Sequence, residues 1–182
     1  MRDPQRLYRL PPITPLMLIA EFGIILIGFI IATNHLWDMS TDLQFSGGDT
    51  WLVTNSVTFS AAVYRQTGAL PLWNPFVGDG EPSLESFQSF VLNPFMSGPF
   101  MWFGTINGFK IGVLLHVLIM AVGGWVWARV MQVQPPGRVL AALLLMGAGS
   151  MTGPLGRGLY QLGLSQTYVP WVMAGLVVCV YR

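Results

Sequence analysis

The sequence predicts an all-α membrane protein with about four transmembrane helices, a cytoplasmic N-terminus and a large extracytoplasmic first loop carrying interfacial helices. Three observations lead there. Of 182 residues, 53% are hydrophobic and only 9% are charged, against roughly 25% charged in a soluble domain. The apolar residues are gathered into blocks long enough to cross a bilayer. The arginines are distributed asymmetrically around those blocks.

The first block covers residues 16–32, with Glu21 its one ionisable residue. At 1.5 Å per residue it reaches roughly 26 Å, a bilayer crossing with little tilt. Arg2, Arg6 and Arg9 before it resemble the basic start of a signal peptide. However, the block is longer than a typical signal core, and 33–36 (Thr-Asn-His-Leu) offers no small-residue cleavage site. It reads as an uncleaved anchor. The second block, 111–128, is uncharged and ends at Arg129. The third, 139–156, follows Arg138 and is interrupted by Gly147, Gly149, Gly153 and Pro154. The fourth, 159–181, carries Pro170 near its start and ends at Arg182, joined to the third by a tight turn at Arg157. The expected division is a tail at 1–15, spans at 16–33, 108–131, 138–156 and 159–182, and a loop at 34–107.

Four crossings place Arg2, Arg6, Arg9, Arg129, Arg138 and Arg182 on one side, leaving Arg65, Arg157 and Lys110 on the other. The positive-inside rule makes the arginine-rich side cytoplasmic, and the bacterial inner membrane is the expected location. Six of the eight acidic residues (Asp38, Asp42, Asp49, Asp79, Glu81 and Glu85) fall in the first outer loop. A net charge of +1 points to no nucleic-acid partner, and the lone Cys179 cannot form an internal disulfide.

That loop is too long for a simple connection. Asp49 and Thr50 precede apolar residues at mixed helical spacing that close at Gly68, which describes a helix. Its aromatics and weak charge suit the membrane interface. Leu70, Pro71, Leu72, Trp73, Asn74 and Pro75 form a turn-rich stretch, and Gly78, Gly80 and Pro82 bend the backbone again. Residues 90–103 are nearly all apolar but carry Pro94, Gly98 and Pro99. They suit a re-entrant or interfacial segment rather than a fifth span.

Few residues offer chemistry. The sequence contains no phosphate-binding glycine loop ending in Lys-Ser, no paired cysteines and no metal-spaced histidine pair. His116 sits inside the second span, where an imidazole can ligate a metal or tetrapyrrole or hydrogen-bond a neighbouring helix. The hydrogen-bonding role is the default, because neutral imidazole is affordable in a bundle. Glu21 has the same two readings, a buried partner or a proton-linked site, and its nearness to the cytoplasmic end favours the structural one. Gly149 and Gly153, four apart, can form a helix-packing face.

The order of loop elements resembles the N-terminal part of the YfhO-like bacterial membrane proteins, in the GT-C glycosyltransferase superfamily. The resemblance rests on Gly48 and Asp49 after the first helix, the helix that follows, and Gly68-x-x-Pro71-Leu72-Trp73-Asn74-Pro75. Gly80, Pro82, Gln88 and Pro94 then follow at the family's spacing. It implies a polyprenyl-phosphate sugar as donor, an acceptor on the outer face, and Asp49 as the carboxylate that takes the acceptor's proton or helps hold a divalent cation. The structural alternative is that Asp49 caps the helix starting beside it. Two departures matter: Asp79, Glu81 and Glu85 make the Gly-x-Pro turn unusually acidic, either a cation site or a solvated face. The chain also carries about four spans where family members have about a dozen. The expectation is therefore a truncated, non-catalytic accessory subunit that meets the lipid bilayer and other integral membrane subunits. An N-terminal transferase module is the alternative. A transporter finds little support, since the spans hold only Glu21 and His116 as ionisable groups.

Overall fold

The computed structural model describes residues 12–40, 50–83 and 90–181. Helix α1 (Pro15–Thr33) starts where Thr14 Oγ1 accepts the Met17 N–H at 3.3 Å, with Pro15 in the first turn. Proline suits that position because its missing N–H would have no helical partner there. The helix tightens into one 3₁₀ turn, Asn34–Leu36. Trp37 closes this end by donating its indole N–H to Thr33 Oγ1 at 3.0 Å.

Helix α2 (Thr50–Thr67) stops at Gly68, whose φ of +71° is a left-handed conformation that glycine adopts freely. Strands β1 (Trp73–Asn74) and β2 (Glu81–Pro82) form a small antiparallel hairpin, with Trp73 opposite Pro82 and Asn74 opposite Glu81.

Helix α3 (Pro94–Val130) is two arms joined at Gly104, which leaves helical geometry with φ +77° and ψ 177°. The arms fold back on one another. Asn93 and His116 would stand about 34 Å apart on one straight helix, yet their side chains meet at 3.0 Å. A Cβ on Gly108 would fall 2.6 Å from the Phe100 Cα and the Pro99 carbonyl, so the arms touch backbone to backbone there. One turn on, Gly112 makes room for the Met96 side chain. The apolar segment 90–103 is thus the descending arm of a hairpin, with Phe100 and Phe109 stacked at 6.1 Å across it.

Helix α4 (Pro135–Met146) and helix α5 (Gly149–Gly156) occupy the segment expected as one span at 138–156. The chain leaves helical geometry at Ala148, with ψ 131°. Glycines at 147 and 149 make the break inexpensive, and α4 alone extends about 18 Å, short of a bilayer core. Helix α6 (Tyr160–Ser165), a 3₁₀ turn (Gln166–Tyr168) and helix α7 (Val169–Tyr181) run on as one bent rod. Pro170 lacks the N–H that would continue the α-helical ladder, and the tighter turn precedes it.

Among the described residues, three helices are long and apolar enough to cross a membrane: Pro15–Leu36, Pro94–Val130 and Tyr160–Val180. In the second, the arm beyond Gly104 supplies about 39 Å of helix, sufficient by itself. It is also the core of the fold, burying Val113, Val117, Met120, Ala121 and Trp125. Close approaches by glycine hold the others to it: Gly124 against Leu145 of α4 and Gly123 against the Trp171 indole of α7. Gly28 of α1 receives Leu143 of α4 similarly.

Candidate functional site

Among the described residues, two clusters of ionisable and amide side chains are built on the second arm of α3. The first surrounds His116, which is fully buried. Its Nδ1 lies 2.7 Å from the Gly112 carbonyl four residues earlier, so that nitrogen carries the proton and donates. Nε2 is then the acceptor. Asn93 Nδ2 faces it at 3.0 Å and the Tyr168 hydroxyl at 3.2 Å. Asn93 is oriented by its own backbone: its Oδ1 accepts the Phe95 N–H at 3.1 Å as N-cap of the descending arm. Three segments distant in sequence therefore converge on one imidazole with both ring nitrogens engaged. Phe95 and Tyr168 set their ring edges against it at 6.2 and 5.8 Å.

The second cluster lies nine residues further along α3. Trp125 donates its indole N–H to Glu21 Oε2, and Arg138 Nη1 stands 3.7 Å from Glu21 Oε1. Glu21 and Arg138 are both buried. Arg138 Nε donates to the Val133 carbonyl at 2.8 Å, fixing the guanidinium at the start of α4. Phe22 packs on Trp125 at 5.0 Å, and Arg129 lies over the same indole at 5.5 Å. One carboxylate, one indole and one guanidinium thus join α1, α3 and α4.

At the opposite end, buried Lys110 spans to the loop after α1, donating to the Asp38 and Ser40 carbonyls at 2.7 Å each. Asp38 Oδ1 accepts the Ser40 N–H at 2.8 Å. That bond, with a smaller contribution from the Lys110 charge, holds the Asp38 carboxyl below its ordinary range. Lys110 and Arg129 are nineteen residues apart, about 28 Å along the helix, close to the thickness of a hydrocarbon core.

Several residues of the sequence motif meet in the β1–β2 hairpin. Asn74 is buried and its Oδ1 accepts the Phe76 N–H at 3.0 Å, an Asx turn that bends the chain at Pro75. Gly80 has φ +99°, and a Cβ there would strike the Trp73 indole. Trp73, Asn74, Gly80 and Pro82 are one folding unit, closed by the Ser83 N–H donating to the Leu72 carbonyl at 3.0 Å. Pro94 opens the descending arm directly after Asn93. Gly48, Asp49, Gln88 and Glu85 lie outside the described residues, and with them the choice between catalysis and helix capping at Asp49. Gly149 begins α5, and nothing stands within 4 Å of a Cβ built at Gly153.

Asn93, Tyr168, Trp125 and Arg138 are the partners that sequence reasoning passes over, because only helix packing brings them to His116 and Glu21. The signal available for the hairpin is the run Gly108-x-x-x-Gly112-x-x-x-His116, one smooth helical face. Among the described residues, no group of three or more His, Cys, Asp or Glu could hold a metal ion. No family model, characterised protein or solved structure matches the chain.

Proposed function

We propose that this chain is a non-catalytic helical subunit of a larger membrane assembly, related by descent to the GT-C modules its loop resembles. The observation that carries this reading is the break between α4 and α5. Gly28, which receives Leu143, stands about 20 Å from the start of α1. The break at Gly147 and Ala148 therefore lies beside the last turn of α1, about 6 Å short of Leu36. Irregular backbone at membrane depth is stable only against protein or a water-filled cavity, because lipid offers no hydrogen bonds. Gly147, Ser150, Gly153 and Gly156 are exposed around that break. Small residues of this kind let another helix approach closely. Both polar clusters favour the same reading, since most of their groups hold helices together. In this reading the arginine-rich ends are cytoplasmic and the hairpin tip at Gly104 faces outward, with α2 lying across it in the interface.

The test is mild-detergent purification of the tagged full chain from its native membranes, with mass spectrometry of the co-eluting proteins. Stoichiometric membrane partners, lost in a Gly153→Leu variant that keeps its own fold, are the expected result. Elution alone overturns the reading. Co-elution of a polyprenyl-linked sugar, with transfer abolished by Asp49→Asn, would replace it by the transferase.

A further inference from the structure

At the arginine-bearing end of the bundle, a cleft of about 290 Å³ opens between the start of α1 and the α3–α4 turn. Pro12 and Met17 form one wall, and Gln132, Gln134, Pro135 and Arg138 form the other. We propose that this cleft binds the phosphate of an anionic phospholipid headgroup, with Arg138 as its principal ligand.

The Arg138 side chain is 3% exposed, yet Nη1 has no hydrogen-bond partner. Its nearest carboxylate oxygen, Glu21 Oε1, is 3.7 Å away, close enough for charge attraction and too far for a hydrogen bond. Arg138 lines the cleft, and a guanidinium N–H without a hydrogen-bond partner is suited to an oxyanion, which guanidinium binds with charge-assisted bonds. Glu21 offsets Arg138, while Arg129 in the last turn of α3 adds a positive charge at this end of the bundle. Helix α4 also turns its positive end to the cleft, with no acidic residue in its first turn.

Pro135 and Pro136 remove two of the N–H groups a helix start would offer an anion. Side chains must therefore do the binding, which assigns the weight to Arg138. The choice of a lipid over free phosphate follows from the setting. Leu16 and Ile19, flanking Met17, are 78% and 69% exposed apolar residues on α1, so the cleft mouth continues into a surface fit for acyl chains. Basic pockets between helices on the cytoplasmic side are a recurring setting for anionic headgroups. The inference depends on membrane insertion and is independent of any partner subunit.

The experiment measures lipid binding to the purified full chain in detergent by native mass spectrometry and thermal shift. Phosphatidylglycerol, phosphatidylcholine and inorganic phosphate are compared. Phosphatidylglycerol is expected to be retained and to raise the unfolding temperature, while phosphatidylcholine does neither. Because Arg138→Gln alone strands Glu21, the informative variant is the pair Glu21→Gln and Arg138→Gln. It should bind phosphatidylglycerol about tenfold more weakly, the scale of one charge-assisted hydrogen bond. Gln134→Glu, an exposed change, should also weaken binding without loss of fold. Equal retention of both lipids, or an unchanged affinity in the paired variant, overturns the proposal. Stabilisation by inorganic phosphate with no preference between lipids overturns the lipid source.

Discussion

Asn93 caps one arm of a helical hairpin with its carboxamide oxygen while its amide nitrogen, 3.0 Å from His116 Nε2, holds the other arm. The two ends of one side chain therefore close a fold-back of twenty-three residues. Asn93→Ala should lose both interactions, a helix cap of about 1 kcal/mol and an interhelical bond of about 0.6 kcal/mol in membrane. Asn93→Asp keeps the cap but presents an acceptor to an acceptor, so it should be nearly as unstable. Equilibrium unfolding in detergent distinguishes them from a surface control such as Leu92→Ala.

Gly104 and Gly108 are both indispensable to that hairpin, for different reasons. At Gly104 there is open space but a backbone conformation that side chains disfavour. Gly104→Ala should therefore cost roughly 1–3 kcal/mol through strain alone. At Gly108 the backbone is ordinary helix, and the Cβ has no room against Phe100. Gly108→Ala should cost about 1–3 kcal/mol by forcing the arms apart. Gly98→Ala, with nothing nearby and no positive φ, should be neutral or slightly stabilising. Thermal melts of the three variants check the order.

The pairing of Glu21 with Arg138 should show the signature of a buried ion pair. Arg138→Leu leaves a stranded carboxylate and should cost roughly 3–5 kcal/mol. Adding Glu21→Gln should recover much of that loss, because the amide still accepts the Trp125 N–H without a charge. A double-mutant cycle on unfolding free energy reads the coupling directly. Additive losses would mean the two residues act separately.

The loop end should respond to pH at Asp38. Its carboxyl titrates below the ordinary value in the folded chain, through the Ser40 N–H and then Lys110. The stabilisation is therefore present above the unfolded pKa, about 3.9, and is lost as pH falls through the lower folded value. Chemical shifts of the Asp38 carboxyl carbon should midpoint below those of a free aspartate. Because Lys110 binds backbone carbonyls, its bonds should survive that titration, and Asp38→Asn should leave them in place.

Much of the helical pattern is legible along the chain. Gly68 marks the end of α2, and the glycines at 147 and 149 mark the interruption inside the segment expected as one span at 138–156. These are local effects, since capping oxygens, missing N–H groups and left-handed backbone act within a few residues. Glu21 and His116 are visible for a similar reason, as ionisable groups inside apolar runs.

What the sequence by itself determines, then, is the class of solvent this protein needs and where some of its helices begin or end. Tertiary structure alone decides that residues 94–103 fold back onto 105–116. An apolar run looks the same whether it continues across a bilayer or reverses. The reversal depends on a glycine surface at 108 and 112 meeting a backbone that lies eight to sixteen residues away in sequence. It also decides the company of the buried polar groups. Glu21 finds Trp125 and Arg138, and His116 finds Asn93 and Tyr168, because helix packing sets which faces meet. Composition and periodicity describe each face in isolation and carry no information about its partner.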